Sequence, residues 1–277
     1  HLNSPALAAA GAFAGLPTVG VCHSDVATWW SAVKIGPLPP DLAWRAELTL
    51  QGYAACDALL APSRAFAEAT AGAFGLARTP EVVWNGRAHL SRREREGPAP
   101  KAWEGEGTDT RGVSPSTSRS APPSGPLPLP PGERCFVFTC GRVWDEGKGM
   151  ATLDAAAASV GAPVLAAGAL QGPGTGAVCF QNLTALGPLS AEQVAERQAG
   201  CAVFVAPSLY EPFGLAVLEA AQLGRPLGLS DLPTFRELWD GAAAFFPAGD
   251  ADALAAAVNG VLADARERER LGAAALE

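Results

Sequence analysis

The sequence predicts an α/β protein built on parallel sheets, and three observations carry the prediction. Short apolar runs alternate with longer amphipathic stretches from Leu16 almost to the end of the chain. The boundaries between them hold residues that start and stop helices. One proline-rich interruption divides the alternation into an incomplete first part and a complete second part. Strands separated by helices pair in parallel through crossovers, so the expectation is two Rossmann-like units, the N-terminal one cut short. A length of 277 residues accommodates two ordinary domains.

In the first part, "LPTVGVC" reads as a buried strand ending at Cys22. "PPDLAWRAELTLQGYAAC" reads as a helix entered through Pro39, Pro40 and Asp41. A short strand "ALLAPS", a helix "RAFAEATAGAF" and a third strand "EVVW" follow, closing on the turn pair Asn85-Gly86. Prolines 98, 100, 115, 122, 123, 126, 128, 130 and 131 then crowd a Ser/Gly/Thr-rich stretch. Such a stretch buries too little apolar surface to offset its ordering entropy, so residues 88–132 are expected to be a disordered linker between domains at 1–87 and 133–277.

The alternation resumes with the strand "CFVFTC", the loop "GRVWDEGKG" and the helix "MATLDAAAASV". Strands "PVLAAG" and "LTAL" come next, then a helix whose Ser190 and Gln193 stand at capping-box spacing. "AVFVAPS", "RPLGLS" and "AAAFF" are further strands. Helices begin near Gly214, in "PTFRELWD" and after Asp250. This is a whole doubly wound domain. "GPGTG", Gly172 to Gly176, has no helix to open and reads as a plain glycine loop rather than a dinucleotide motif.

Composition removes several classes. A net charge of −8 argues against nucleic acid as the main partner. The six cysteines form neither C-x-x-C pairs nor a Cys/His ladder; they read as reduced, buried thiols, which points to the cytoplasm and away from a metal site. The Ala-rich start is broken by Pro and Gly and fails as a signal peptide or membrane span.

The chemistry concentrates in "LYEPFGLAVLEAA". Glu211 falls in a strand-to-helix loop at the carboxyl edge of the sheet, where such folds bind ligands. Glu219 lies about two turns into an otherwise apolar helix, so it is expected half-buried and in need of partners. Two carboxylates there could grip a polyhydroxylated ligand, with the helix's first N–H groups and Gly214 facing its phosphate. Spacing alone equally permits a Glu219 paired with arginine or backbone N–H, and a Glu211 that is a solvated cap.

Glu211 to Glu219, "E-P-F-G-L-A-V-L-E", resembles the E-x7-E signature of retaining GT-B glycosyltransferases of the family-4 (group 1) type. "CGRVWDEGKG" resembles their GR…D-x-x-K loop. The likeness extends over Cys135 to Leu271 and, through "VGVCHSDVATWW" and "LLAPS…VVWNGR", over Leu16 to Arg87. It implies a GT-B-like fold and transfer of a sugar from a nucleotide-sugar donor, UDP- or GDP-linked, to an acceptor hydroxyl. The transfer would retain anomeric configuration without metal or other cofactor, with residues 133–277 holding the donor.

By the same resemblance Arg142 and Lys148 hold the donor diphosphate, Glu219 takes the ribose hydroxyls and Glu211 faces the sugar. Phe213, Gly214 and Leu215 lay backbone against sugar and phosphate, and His23 projects into the cleft. His23 fits equally a histidine satisfied by local backbone. Two departures stand out: a preceding stretch with a glycine-rich loop is missing from these residues, and the interdomain connection is long. Both suggest a fragment, leaving the acceptor undefined (saccharide, lipid or small molecule). The rivals are a non-catalytic nucleotide-sugar binding fragment and a sugar-nucleotide epimerase on the same fold. The epimerase would need more acid/base residues than a chain with three histidines offers. A nicotinamide oxidoreductase lacks its glycine motif.

Overall fold

The computed structural model describes residues 6–11, 13, 15–86, 135–173 and 176–277. The expected linker, 88–132, lies outside the described residues. The described residues on either side of it group into one compact unit with two parallel sheets.

The N-terminal lobe runs α1 (Ala6–Ala9), β1 (Val19–Val21), α2 (Val26–Val33), α3 (Pro40–Ala54), β2 (Ala58–Ala61), α4 (Arg64–Phe74) and β3 (Glu81–Val82), with strand order β1-β2-β3. Helix α2 was not foreseen. Asp25 caps it, accepting from Thr28 N at 2.8 Å. The reading of "LPTVGVC" as a buried strand needs correction: Val19 and Val21 are 60% and 44% exposed. The pleat sends alternate residues to opposite faces, so only Gly20 and Cys22 turn inward. A Cβ on Gly20 would lie 2.8 Å from Leu59. Strand β3 is likewise exposed and spans only Glu81–Val82.

The C-terminal lobe runs β4 (Val137–Cys140), a 3₁₀ turn (Glu146–Lys148), α5 (Met150–Ala157), β5 (Val164–Ala167), β6 (Thr184–Gly187), α6 (Ala191–Gly200) and β7 (Val203–Ala206). It continues through α7 (Leu215–Ala221), β8 (Leu227–Ser230), α8 (Pro233–Trp239), β9 (Ala243–Phe246), α9 (Ala251–Ala263) and α10 (Ala265–Leu276). The six strands are all parallel, in order β6-β5-β4-β7-β8-β9. The Ser190–Gln193 capping box forms, and Asp250 caps α9. Helix α10, capped by Asp264, was not foreseen. It packs on α9.

All four residues of each of β5, β7 and β8 are buried. Phe136, Phe138, Phe204, Leu153 and Leu254 anchor the core around them. The thiols depart from expectation: Cys22 and Cys201 are buried, but Cys135, ahead of β4, and Cys179, in the loop between β5 and β6, are exposed. All six are free.

The lobes meet through specific bonds. Thr28 Oγ1 and Tyr210 OH lie 2.9 Å apart, and Ser63 Oγ donates to Pro212 O at 2.8 Å. The Glu237 carboxylate of α8 accepts from Arg64 N and Ala65 N at 2.9 and 2.8 Å, capping α4 from the other lobe. Tyr210 also packs into the small N-terminal core of Cys22, Tyr53, Phe66 and Phe74. There burial pushes the Tyr210 phenol up to about 12.

Candidate functional site

Strand order reverses between β4 and β7. Chain leaving β4 moves outward to β5 and β6, while chain leaving β7 moves the other way to β8 and β9. Neighbouring strands whose connections diverge leave a crevice beyond their carboxyl ends. A cavity of about 320 Å³ occupies it, lined by the end of β4 and the residues after it (Thr139 to Val143), Lys148, and Ala206 to Val217 apart from Leu209. His23, Ser24 and Asn85 close it from the N-terminal lobe. That is the size of a small-molecule site.

The structure therefore gathers His23, Arg142, Lys148, Glu211, Phe213, Gly214 and Leu215 around one cavity. Glu219 is not among its lining residues. It is half-buried on α7, and its charge, with burial the larger cause, raises the thiol of Cys140 to about 12. Cys140 does line the cavity, and Glu219 follows the lining residues Leu215, Ala216 and Val217 on the same helix. Helix α7 begins at Leu215, slightly later than expected. Gly214 caps it at φ 95°, a left-handed conformation that a side chain would strain.

Two ion pairs organise the cations. Lys148 Nζ donates to Glu211 Oε2 at 2.5 Å, with both side chains largely buried. Arg142 Nη2 lies 2.8 Å from Asp145 Oδ2, its guanidinium over the Trp144 ring with its centre 5.8 Å from the centroid. The loop carrying them is pinned to the β7 loop, because Gly147 O accepts from Leu209 N and Tyr210 N at 2.9 and 3.1 Å. At Gly149 (φ 64°) a Cβ would stand 1.9 Å from Pro207 O, so this close approach requires glycine. The glycine loop at 172–176 opens no helix among the described residues, and Trp144 covers Gly172 closely enough to exclude a side chain.

Sequence reasoning missed Ser208 and Thr139, both buried polar residues in the cavity wall, and Asn85 beyond its turn role. The position of Ser208, immediately past β7 at the switch point, was the signal available. Sequence reasoning gave no role to Asp145, the acidic residue of the GR…D-x-x-K loop, which is 8% exposed and accepts from Trp29 Nε1 at 3.1 Å and Gly147 N at 2.9 Å as well as pairing with Arg142. Among the described residues no group of three or more His, Cys, Asp or Glu could hold a metal ion. None of their helices is long and apolar enough to cross a membrane.

The family profile of glycosyl transferases group 1 matches residues 181–277, which contain Glu211 and Glu219 but not Arg142 or Lys148. The chain has the GT-B fold and is similar to sucrose-phosphate synthase from Thermosynechococcus elongatus. That likeness has a TM-score of 0.65 at 21% identity and covers 93% of this chain and 61% of that one. It is also similar to Anabaena HepE in complex with UDP and glucose (TM-score 0.66, 16% identity, 97% and 68% covered). HepE in complex with UDP-glucose matches at a TM-score of 0.66 and 17% identity, with 97% and 69% covered. The chain thus spans less than two thirds of the synthase's length. No curated protein sequence matches it.

Proposed function

We propose that this chain is a glycosyltransferase of the family-4 type. It would move a sugar from a nucleotide-sugar donor to an acceptor hydroxyl with retention of configuration, without metal or cofactor. The observation that carries the reading is the meeting of Arg142, Lys148 and Glu211 with the Phe213–Leu215 backbone in one cavity at the sheet's switch point. The group 1 profile match and the UDP-sugar complexes of HepE support it.

In this reading the diphosphate lies against Arg142 and Lys148, which stabilise the charge growing on it as the glycosidic bond breaks. Lys148 has three N–H donors, so it serves a phosphate oxygen while keeping Glu211. Glu211, fixed by that bond, faces the sugar. His23 enters from the N-terminal lobe, where it orients the sugar or shares the acceptor's proton. Glu219, on the helix that supplies Leu215, Ala216 and Val217 to the cavity lining, takes the ribose hydroxyls. The free cysteines fit a cytoplasmic protein. The acceptor is a saccharide, lipid or small molecule bound from the side of His23 and Asn85.

Calorimetric titration with UDP, GDP and UDP-glucose tests the donor site. Each charge-assisted bond is worth roughly 1.5–3 kcal/mol, so Glu219→Ala is expected to weaken nucleotide binding about ten- to hundredfold. Unchanged affinity in Glu219→Ala would remove the ribose role. Failure of the unsubstituted chain to bind any of the three would overturn the reading. Anomeric configuration of the product, read by NMR, tests retention.

A further inference from the structure

We infer that Asp145 is a positioning residue that ties the donor-site arginine to the N-terminal lobe, so that grip on a diphosphate depends on how that lobe is docked. The inference rests on the donor-site reading above. Asp145 is buried, and its two oxygens serve different masters. Oδ2 pairs with Arg142 Nη2 at 2.8 Å, and Oδ1 accepts from the indole N–H of Trp29 at 3.1 Å. Trp29 belongs to α2 of the N-terminal lobe.

The neighbouring contacts repeat the linkage. A Cβ on Gly147 would lie 2.8 Å from Trp29 Nε1, so the indole sits directly on the loop backbone. Lys34, at the end of α2, pairs with Glu146. Gly147 N also donates to Asp145 Oδ1 at 2.9 Å, which fixes the carboxylate relative to the 3₁₀ turn that ends in Lys148. The Arg142 side chain is 59% exposed and rotamer-rich, and a long side chain loses entropy whenever it is held. A partner that holds it before the ligand arrives lowers that cost. Asp145 does this, and Trp29 holds Asp145.

A carboxylate that only stabilised the fold would affect all ligands alike, whereas one acting through Arg142 affects the diphosphate. The test is calorimetry on the full chain with UDP against UMP, and GDP against GMP, for Asp145→Asn, Trp29→Phe, Arg142→Ala and the Asp145→Asn/Arg142→Ala double variant. Trp29→Phe keeps an aromatic ring at the position and removes the N–H donor together with part of the indole's volume. Asp145→Asn is expected to weaken the diphosphate about tenfold, Trp29→Phe by a smaller factor in the same direction, and both to leave the monophosphate within about twofold. In the Arg142→Ala background Asp145→Asn is expected to have no further effect.

Equal losses for mono- and diphosphate, additive losses in the double variant, or unchanged diphosphate binding in both single variants would overturn the inference while leaving the donor site standing. An unsubstituted chain that binds neither diphosphate overturns the donor-site reading and this inference with it. Should Asp145→Asn lower the melting temperature sharply, Trp29→Phe alone decides between the same outcomes.

Discussion

The two sheets share one construction, parallel strands joined by helices, yet they differ in how they meet solvent. β5, β7 and β8 of the C-terminal sheet are buried along their whole length. β1 shows a single buried residue between two exposed valines, and β3 is exposed throughout. The C-terminal lobe encloses its own core. The N-terminal lobe closes its smaller core partly with Tyr210 borrowed from its neighbour. An apolar run in sequence therefore predicts a strand more safely than it predicts burial on both faces.

The sharpest way to break this contrast is a pair of substitutions. Phe138→Ala in β4, fully buried, is expected to cost about 3–5 kcal/mol. Val21→Ala in β1, 44% exposed, is expected to stay within about 0.5 kcal/mol. Urea unfolding measures both, and similar losses at the two sites would end the comparison.

A middle-sized effect concerns the join between lobes. Glu237→Ala removes the acceptor from Arg64 N and Ala65 N. The loss of such a cap is expected to cost about 0.5–2 kcal/mol. Faster hydrogen exchange should appear at those two amides first, while the amides of β7 and β8 keep their protection.

The smallest effect is a pH dependence confined to the C-terminal lobe. Burial alone would raise the Asp154 carboxyl, but N–H donors from Gln181, Asn182 and Leu183 outweigh it and hold the group below its usual range. A depressed carboxyl contributes stability above its unfolded value of 3.8 and loses it as pH falls through the folded value. The melting-temperature gap between the unsubstituted chain and Asp154→Ala should therefore be constant from about pH 5 to 7 and shrink below about pH 4. A gap that persists under acid would assign the effect to packing instead.

Much of this fold was legible because its punctuation is local. Ser190 with Gln193, Asp250, and the prolines at 40 and 233 mark helix starts by chemistry that acts within four residues. Helix α2 escaped because its eight residues come only four residues after β1, although Asp25 and Thr28 stand at capping distance. Helix α10 escaped because its charged first turns lack an apolar stripe; Asp264 was the available clue.

The site was legible where it follows from topology, since residues just past β4 and β7 must face the crevice. It was not legible where it depends on side chains reaching between lobes. Nothing in the spacing of Trp29 and Asp145, more than a hundred residues apart, announces their bond. Nor does the E-x7-E spacing say that Glu211 lines the cavity while Glu219 is not among its lining residues.

If Lys148 holds a donor phosphate as proposed, its pairing with Glu211 bears on which anions the site admits. With a carboxylate already at 2.5 Å, the lysine offers no bare positive charge to passing anions. Inorganic phosphate, abundant and small, would have to compete with an intramolecular partner that is always present at high effective concentration. A larger molecule anchored elsewhere along the crevice would bring its phosphates to the lysine by tether rather than by collision. On the proposed donor-site reading, the resting pair would favour phosphates that arrive attached to a molecule the pocket also holds.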